Sequence, residues 1–179
     1  MAARKPKQQQ PETQQPAADT LGINVEMVDG TCHLSFPFSD HLRRIAKERL
    51  PGIEFDPQAK AWLVPPDQQV NAESLANDLR AERTRMAEDR KMVEEAASKL
   101  VTDAKVKDAY KAQDARTSGK ILAVGEFYIA QANGKNYVAI HEAGILRCPT
   151  QGETPDQVRW DKYQPIIGEQ KSIVYKKGL

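Results

Sequence analysis

The sequence predicts an α+β protein: an N-terminal ββαββ unit, a long connecting α-helix and a small C-terminal β-barrel. Three observations carry that expectation. Residues 23 to 36 and 53 to 64 alternate apolar and polar side chains around turn signals, with a helix-length apolar stripe between them. Neither Gly nor Pro occurs between Asn71 and Ser118, so one long helix is permitted there. After Gly119 the chain breaks into short strand-like runs separated by turn residues.

Taken in order, residues 1 to 20 are rich in Gln, Pro and Ala without periodicity, and a disordered tail is expected. The first unit spans 21 to 70. Ile23, Val25 and Met27 alternate on one strand, Asp29 and Gly30 suit the positive φ angles of a type I′ turn, and Cys32, Leu34 and Phe36 alternate on the return. Ser39 or Asp40 can cap a helix that puts Leu42, Ile45, Ala46 and Leu50 on one face and ends at Pro51 and Gly52. A second hairpin joins Ile53 and Phe55 to the run from Ala61 to Val64, and Pro65 with Pro66 ends it.

Residues 71 to 117 read as a charged helix or linker with Asn71 as its cap. Leu79, Met86, Val93 and Leu100 recur every seven residues, but the matching d positions include Glu82, Asp89 and Asp103. Basic and acidic residues balance, ten of each between 71 and 118, interleaved at helical spacing. The reading is a solvated spacer helix whose narrow stripe packs on a neighbour or on a second copy of the chain.

From 119 to 179, strand runs are expected around Ile121, Phe127 to Ala130, Tyr137 to His141, Ile145 to Cys148 and Ser172 to Tyr175. Asn133 and Gly134 form a hairpin turn, and 149 to 164 form a polar loop. Five short strands in so few residues are better served by an SH3-like or OB-like barrel than by a sandwich.

Composition narrows the function classes. A formal charge of +1 provides no global field to hold the chain on nucleic acid or an anionic membrane, so any such binding needs a local patch. No apolar run approaches a membrane span, and the N-terminus is too polar for a signal peptide, so a cytoplasmic location is expected. Cys32 and Cys148 stand alone, without partners at metal-ligand spacing. No metal or cofactor is expected, and both thiols fit strand positions as small hydrophobes.

Two resemblances add to this reading. The stretch LSFPFSDHLRRIAKERLPGIEFDPQAKAWLVP resembles the HARP-type motif of annealing helicases at Phe36, Leu42, Ile45, Phe55, Asp56, Lys60 and Trp62. That resemblance implies DNA contact, for which Arg43, Arg44, Lys47, Lys60 and Trp62 are the candidates. The segment from 119 to 179 resembles the KfrB domain of conjugative and broad-host-range plasmids, on Gly119, Ile121, Val124, Gln131, His141, Leu146, Gly168, Ile173, Tyr175 and Gly178. The KfrB resemblance implies a plasmid-encoded, non-enzymatic docking module with a KfrA-like or KfrC-like protein partner, acting in plasmid maintenance or conjugation.

The candidate partner-binding residues are therefore Tyr128, Gln131, His141 and Tyr175. Each also has a structural reading. His141 lacks a nucleophile and an orienting group that can be placed beside it, so a histidine hydrogen-bonded to backbone or to Gln131 is expected rather than a catalytic base. Gln131 closes the barrel through its side-chain amide, and Trp62 covers the face of Leu42 and Ile45. Tyr128, Tyr137 and Tyr175 can fill sheet faces or offer stacking surfaces to single-stranded nucleic acid.

Overall fold

A computed structural model describes residues 21–109, 116–143 and 165–174. Two strands, β1 (Asn24–Val28) and β2 (Thr31–Ser35), form the first hairpin. Its turn places Asp29 at φ 49° and Gly30 at φ 80°, the left-handed pair that a type I′ turn requires. The helix α1 (Asp40–Arg49) starts on Ser39, whose Oγ accepts from the Leu42 N–H at 3.3 Å. The strands β3 (Glu54–Asp56) and β4 (Ala61–Val64) complete an antiparallel sheet in the order β1-β2-β4-β3. Leu42 and Ala46 of α1 and its C-cap Leu50 are buried in one apolar cluster with Leu34 and Val64 of the sheet.

A turn of 3-10 helix, Pro66–Gln68, leads into α2 (Gln69–Ser98). This helix begins two residues before the expected Asn71 cap, and it ends at Ser98 rather than near residue 117. Its narrow apolar stripe packs on neighbouring elements of the same chain, one of the two expected alternatives. Ala72, Leu75, Ala76, Leu79, Met86, Val93 and Ala97 are all buried, in the same apolar cluster as residues from both sheets. The first half is tied to the N-terminal unit by the ion pair of Asp78 with Arg49 and by Arg80, whose Nη2 donates to the Ile23 carbonyl at 3.0 Å. The second half lies on the C-terminal sheet, where Asp89 and Arg90 make their contacts. Leu100, expected to continue the heptad, is 63 % exposed because the helix has already stopped.

The second sheet holds β5 (Lys105–Asp108), β6 (Arg116–Val124), β7 (Tyr128–Ala132), β8 (Tyr137–Glu142) and β9 (Gln170–Val174), in the order β5-β8-β7-β6-β9. Residues 105 to 108, expected to be helical, are instead a strand running parallel to β8. The β6 strand changes partner along its length: residues 116 to 120 pair with β9 and residues 121 to 124 with β7, with an irregularity between Ile121 and Ala123. The strands β5 and β9 occupy opposite edges with no pairing between them among the described residues, so the observed architecture is a mixed five-stranded sheet.

One face of this sheet packs on α2 through Leu122, Tyr128, Ala130, Val138 and Ile140. The other carries a second cluster of Ile121, Ile129, Ala139 and Ile173. The expected tail, the strand at 145 to 148, the loop at 149 to 164 and Tyr175 lie outside the described residues.

Candidate functional site

Three groups of polar or aromatic side chains stand out, and they do different things. The first is inside the C-terminal sheet. Gln131 Nε2 donates to the Gly119 carbonyl at 3.0 Å and to the Lys171 carbonyl at 2.9 Å, linking β7 to β6 and β9. Its Oε1 lies 3.1 Å from His141 Nε2, and because an amide oxygen only accepts, the His141 proton sits on that nitrogen. Both side chains are fully buried. Gly119 belongs to the same knot, since a Cβ there would collide with the Ala132 carbonyl oxygen. The glycine lets β6 pass close to the end of β7 where it changes partner.

The second group joins the two sheets through α1 and α2. Glu142, at the end of β8, accepts from Ser39 Oγ at 2.7 Å and from the His41 N–H at 3.3 Å, which places a buried carboxylate at the positive end of α1. His41 Nε2 lies 2.6 Å from Glu82 Oε1, and Arg44 Nη2 lies 3.3 Å from His41 Nδ1. Arginine can only donate, so Nδ1 accepts and the Nε2 proton points at Glu82. Arg85 bridges Glu82 at 2.7 Å and Glu126 at 2.6 Å, while its guanidinium lies over the Phe127 ring. One turn further along α2, Asp89 accepts from the N–H groups of Glu126, Phe127 and Tyr128 at 2.9, 2.8 and 3.0 Å. Gly125 makes room for that carboxylate, because a Cβ there would strike its oxygens.

The third group is on the surface of the N-terminal unit. Trp62 of β4 stacks on Phe36 with centroids 5.9 Å apart and interplanar angle 2°, and Phe55 leans on it at 5.3 Å and 57°. The register sets this up, because Leu34, Trp62 and Phe55 are direct neighbours across β2, β4 and β3. Lys47 of α1 reaches over the indole, its Nζ 5.7 Å from the ring centroid. Phe55 is 51 % exposed, so this corner presents aromatic surface to solvent.

These positions sort the sequence-based candidates. Gln131 and His141 are brought together, but inside the sheet, where they cannot touch a partner. Tyr128 is also buried, against α2, with Arg90 5.7 Å from its ring centroid. Burial and the nearby Glu142 carboxylate push its hydroxyl above the ordinary tyrosine range. Lys47 and Trp62 form one surface. Arg43 is instead paired with Asp40 at 2.7 Å, Arg44 is engaged with His41, and Lys60 sits in the β3–β4 turn with φ 53°. Trp62 is half-buried at the rim of the core, which combines the core and platform readings.

Sequence reasoning missed Phe55 and Phe36 as parts of the aromatic corner. It also missed Asp89, Glu82 and Glu142 as links between elements, although the first two had been noticed as acids on the apolar seam. Burial and the Glu73 charge raise the Cys32 thiol above its ordinary pKa, in keeping with a small core residue. No group of three metal-ligating side chains occurs among the described residues, and no helix among them is long and apolar enough to cross a membrane. Compared with known proteins, the chain matches no family model, no curated protein and no solved structure.

Proposed function

We propose that the chain is a non-catalytic adaptor that docks a protein partner through the corner formed by Phe36, Trp62 and Phe55. The KfrB resemblance supplies the setting, plasmid maintenance or conjugative transfer, and the class of partner, KfrA-like or KfrC-like. Closure of the C-terminal sheet into a small barrel, expected from its run of short strands, remains part of this proposal. The observation that carries the docking surface is the half-exposed Phe55 resting on Trp62. Large aromatics clustered at the surface of a rigid body are the residue types that anchor protein interfaces. Acidic residues outnumber basic ones between 21 and 68, which suits a protein surface better than a phosphate backbone.

A second reading, nucleic-acid binding by the same corner, draws support from Lys47 above the Trp62 ring. Copurification of the tagged chain with a KfrA-like or KfrC-like protein expressed beside it, before and after nuclease treatment, separates the two. Docking predicts a complex that survives nuclease and is lost with Phe55→Glu. A complex that nuclease dissolves overturns the docking reading in favour of the second.

A further inference from the structure

We propose that the outer edge of the C-terminal sheet binds single-stranded nucleic acid, with Tyr137 as the stacking face and Lys105, Lys107 and Lys135 as phosphate contacts. The site is distinct from the aromatic corner and goes beyond the docking role.

The parallel pairing of β5 with β8 sets Lys105 beside Tyr137 and Lys107 beside Ala139. Side chains alternate along a strand, so the two lysines share a face while Val106 turns the other way and packs on the core at α2. Their Nζ atoms both lie over the Tyr137 ring, 5.6 and 5.2 Å from its centroid. Tyr137 is 38 % exposed. Lys135 is exposed in the β7–β8 turn, two residues before Tyr137.

Among the described residues of β5, the charges on this face are the two lysines. Asp108, the acid in β5, alternates to the side of Val106 and is paired there with Arg90 of α2 at 2.8 Å. A rise of about 3.3 Å per residue separates the two lysines by about 6.6 Å, comparable with the step between successive phosphates of an extended strand. Lysines on an edge strand also discourage pairing with another sheet. That role does not require an aromatic ring beside them, whereas base stacking does.

Fluorescence anisotropy with a fluorescein-labelled oligothymidylate of about 15 nucleotides tests the site. The wild-type chain is expected to bind at low salt, and three phosphate contacts give a slope of log K against log salt of about -2. Lys105→Glu with Lys107→Glu should weaken binding at least about tenfold and flatten that slope, whereas Tyr137→Leu should weaken it about tenfold with the slope kept. Phe55→Glu should bind the oligonucleotide as wild type does, which keeps this test separate from partner docking. Circular dichroism melts verify that each variant folds. No binding by the wild type at low salt, or affinity unchanged by the double charge reversal, overturns the proposal. A loss with Phe55→Glu alone overturns it too, because the strand would then lie on the N-terminal corner.

Discussion

Removing the Asp89 carboxylate should loosen the C-terminal sheet from α2, and its size can be worked from the three N–H groups it accepts. Hydrogen bonds to a charged group contribute about 1.5–3 kcal/mol each. Glu126 is exposed and Asp89 itself only half-buried, so water can replace part of what is lost. A cost of about 2–4 kcal/mol for Asp89→Ala follows, a large share of the 5–15 kcal/mol typical of a folded domain. Gly125→Ala should also destabilise the wild type, by about 1–3 kcal/mol, because its new methyl group meets the same carboxylate. With Asp89→Ala already present that obstacle is gone, so the second substitution should cost little. Urea unfolding followed by far-ultraviolet circular dichroism, read as a midpoint shift at constant m, measures all four corners of the cycle. An Asp89→Ala cost below about 1 kcal/mol, or two losses that simply add, would refute this role of the Asp89 carboxylate.

Three further outcomes follow from the packing. Gln131→Ala and His141→Ala should each lose about 2–4 kcal/mol in the same urea assay, and the double variant less than their sum, since each leaves buried groups of one network unpaired. Met86→Ala should cost about 2–5 kcal/mol, whereas Leu100→Ala should stay within about 0.5 kcal/mol; equal losses would mean that the helix continues past Ser98. Tyr128 holds its proton more tightly folded than unfolded, so its contribution is intact below the ordinary tyrosine value of 10.0 and is lost as pH rises above it. Melting temperatures taken across that range should fall more steeply for wild type than for Tyr128→Phe, and identical slopes would contradict the assignment.

Local chemistry made the N-terminal unit legible. Asp29 with Gly30 fixes one hairpin, Ser39 caps α1, and the alternation from Cys32 to Leu34 and from Trp62 to Val64 marks the faces that meet. The same holds for His141 and Gln131, whose pairing could be read from two polar residues set among apolar strand neighbours.

What escaped the sequence depends on distant partners. Residues 105 to 108 carry a helix-compatible pattern and become a strand only because β8, some thirty positions later, offers an edge. Glu82 and Asp89 looked like defects in a coiled-coil seam. They are instead the groups through which α2 holds His41 and the backbone after β6, Glu82 also pairing with Arg85 of the same helix, so the stripe is shared with other elements of the same chain. Tyr128, Gln131 and His141, three of the four partner-binding candidates, are distinctive in sequence because the sheet needs them inside. Phe55 is legible as an alternating apolar position and as part of the HARP-type pattern but not as an exposed ring, since exposure is decided by the edge place of β3.

The docking role stands or falls most directly on a calorimetric titration of the purified chain with a purified KfrA-like or KfrC-like partner. Saturable binding by the wild type is expected, unaltered by Lys105→Glu with Lys107→Glu and weakened at least about tenfold by Phe55→Glu, a loss of about 1.4 kcal/mol or more. Binding by Phe55→Glu at wild-type affinity, with the variant folded, would contradict the placement of the docking surface on the aromatic corner.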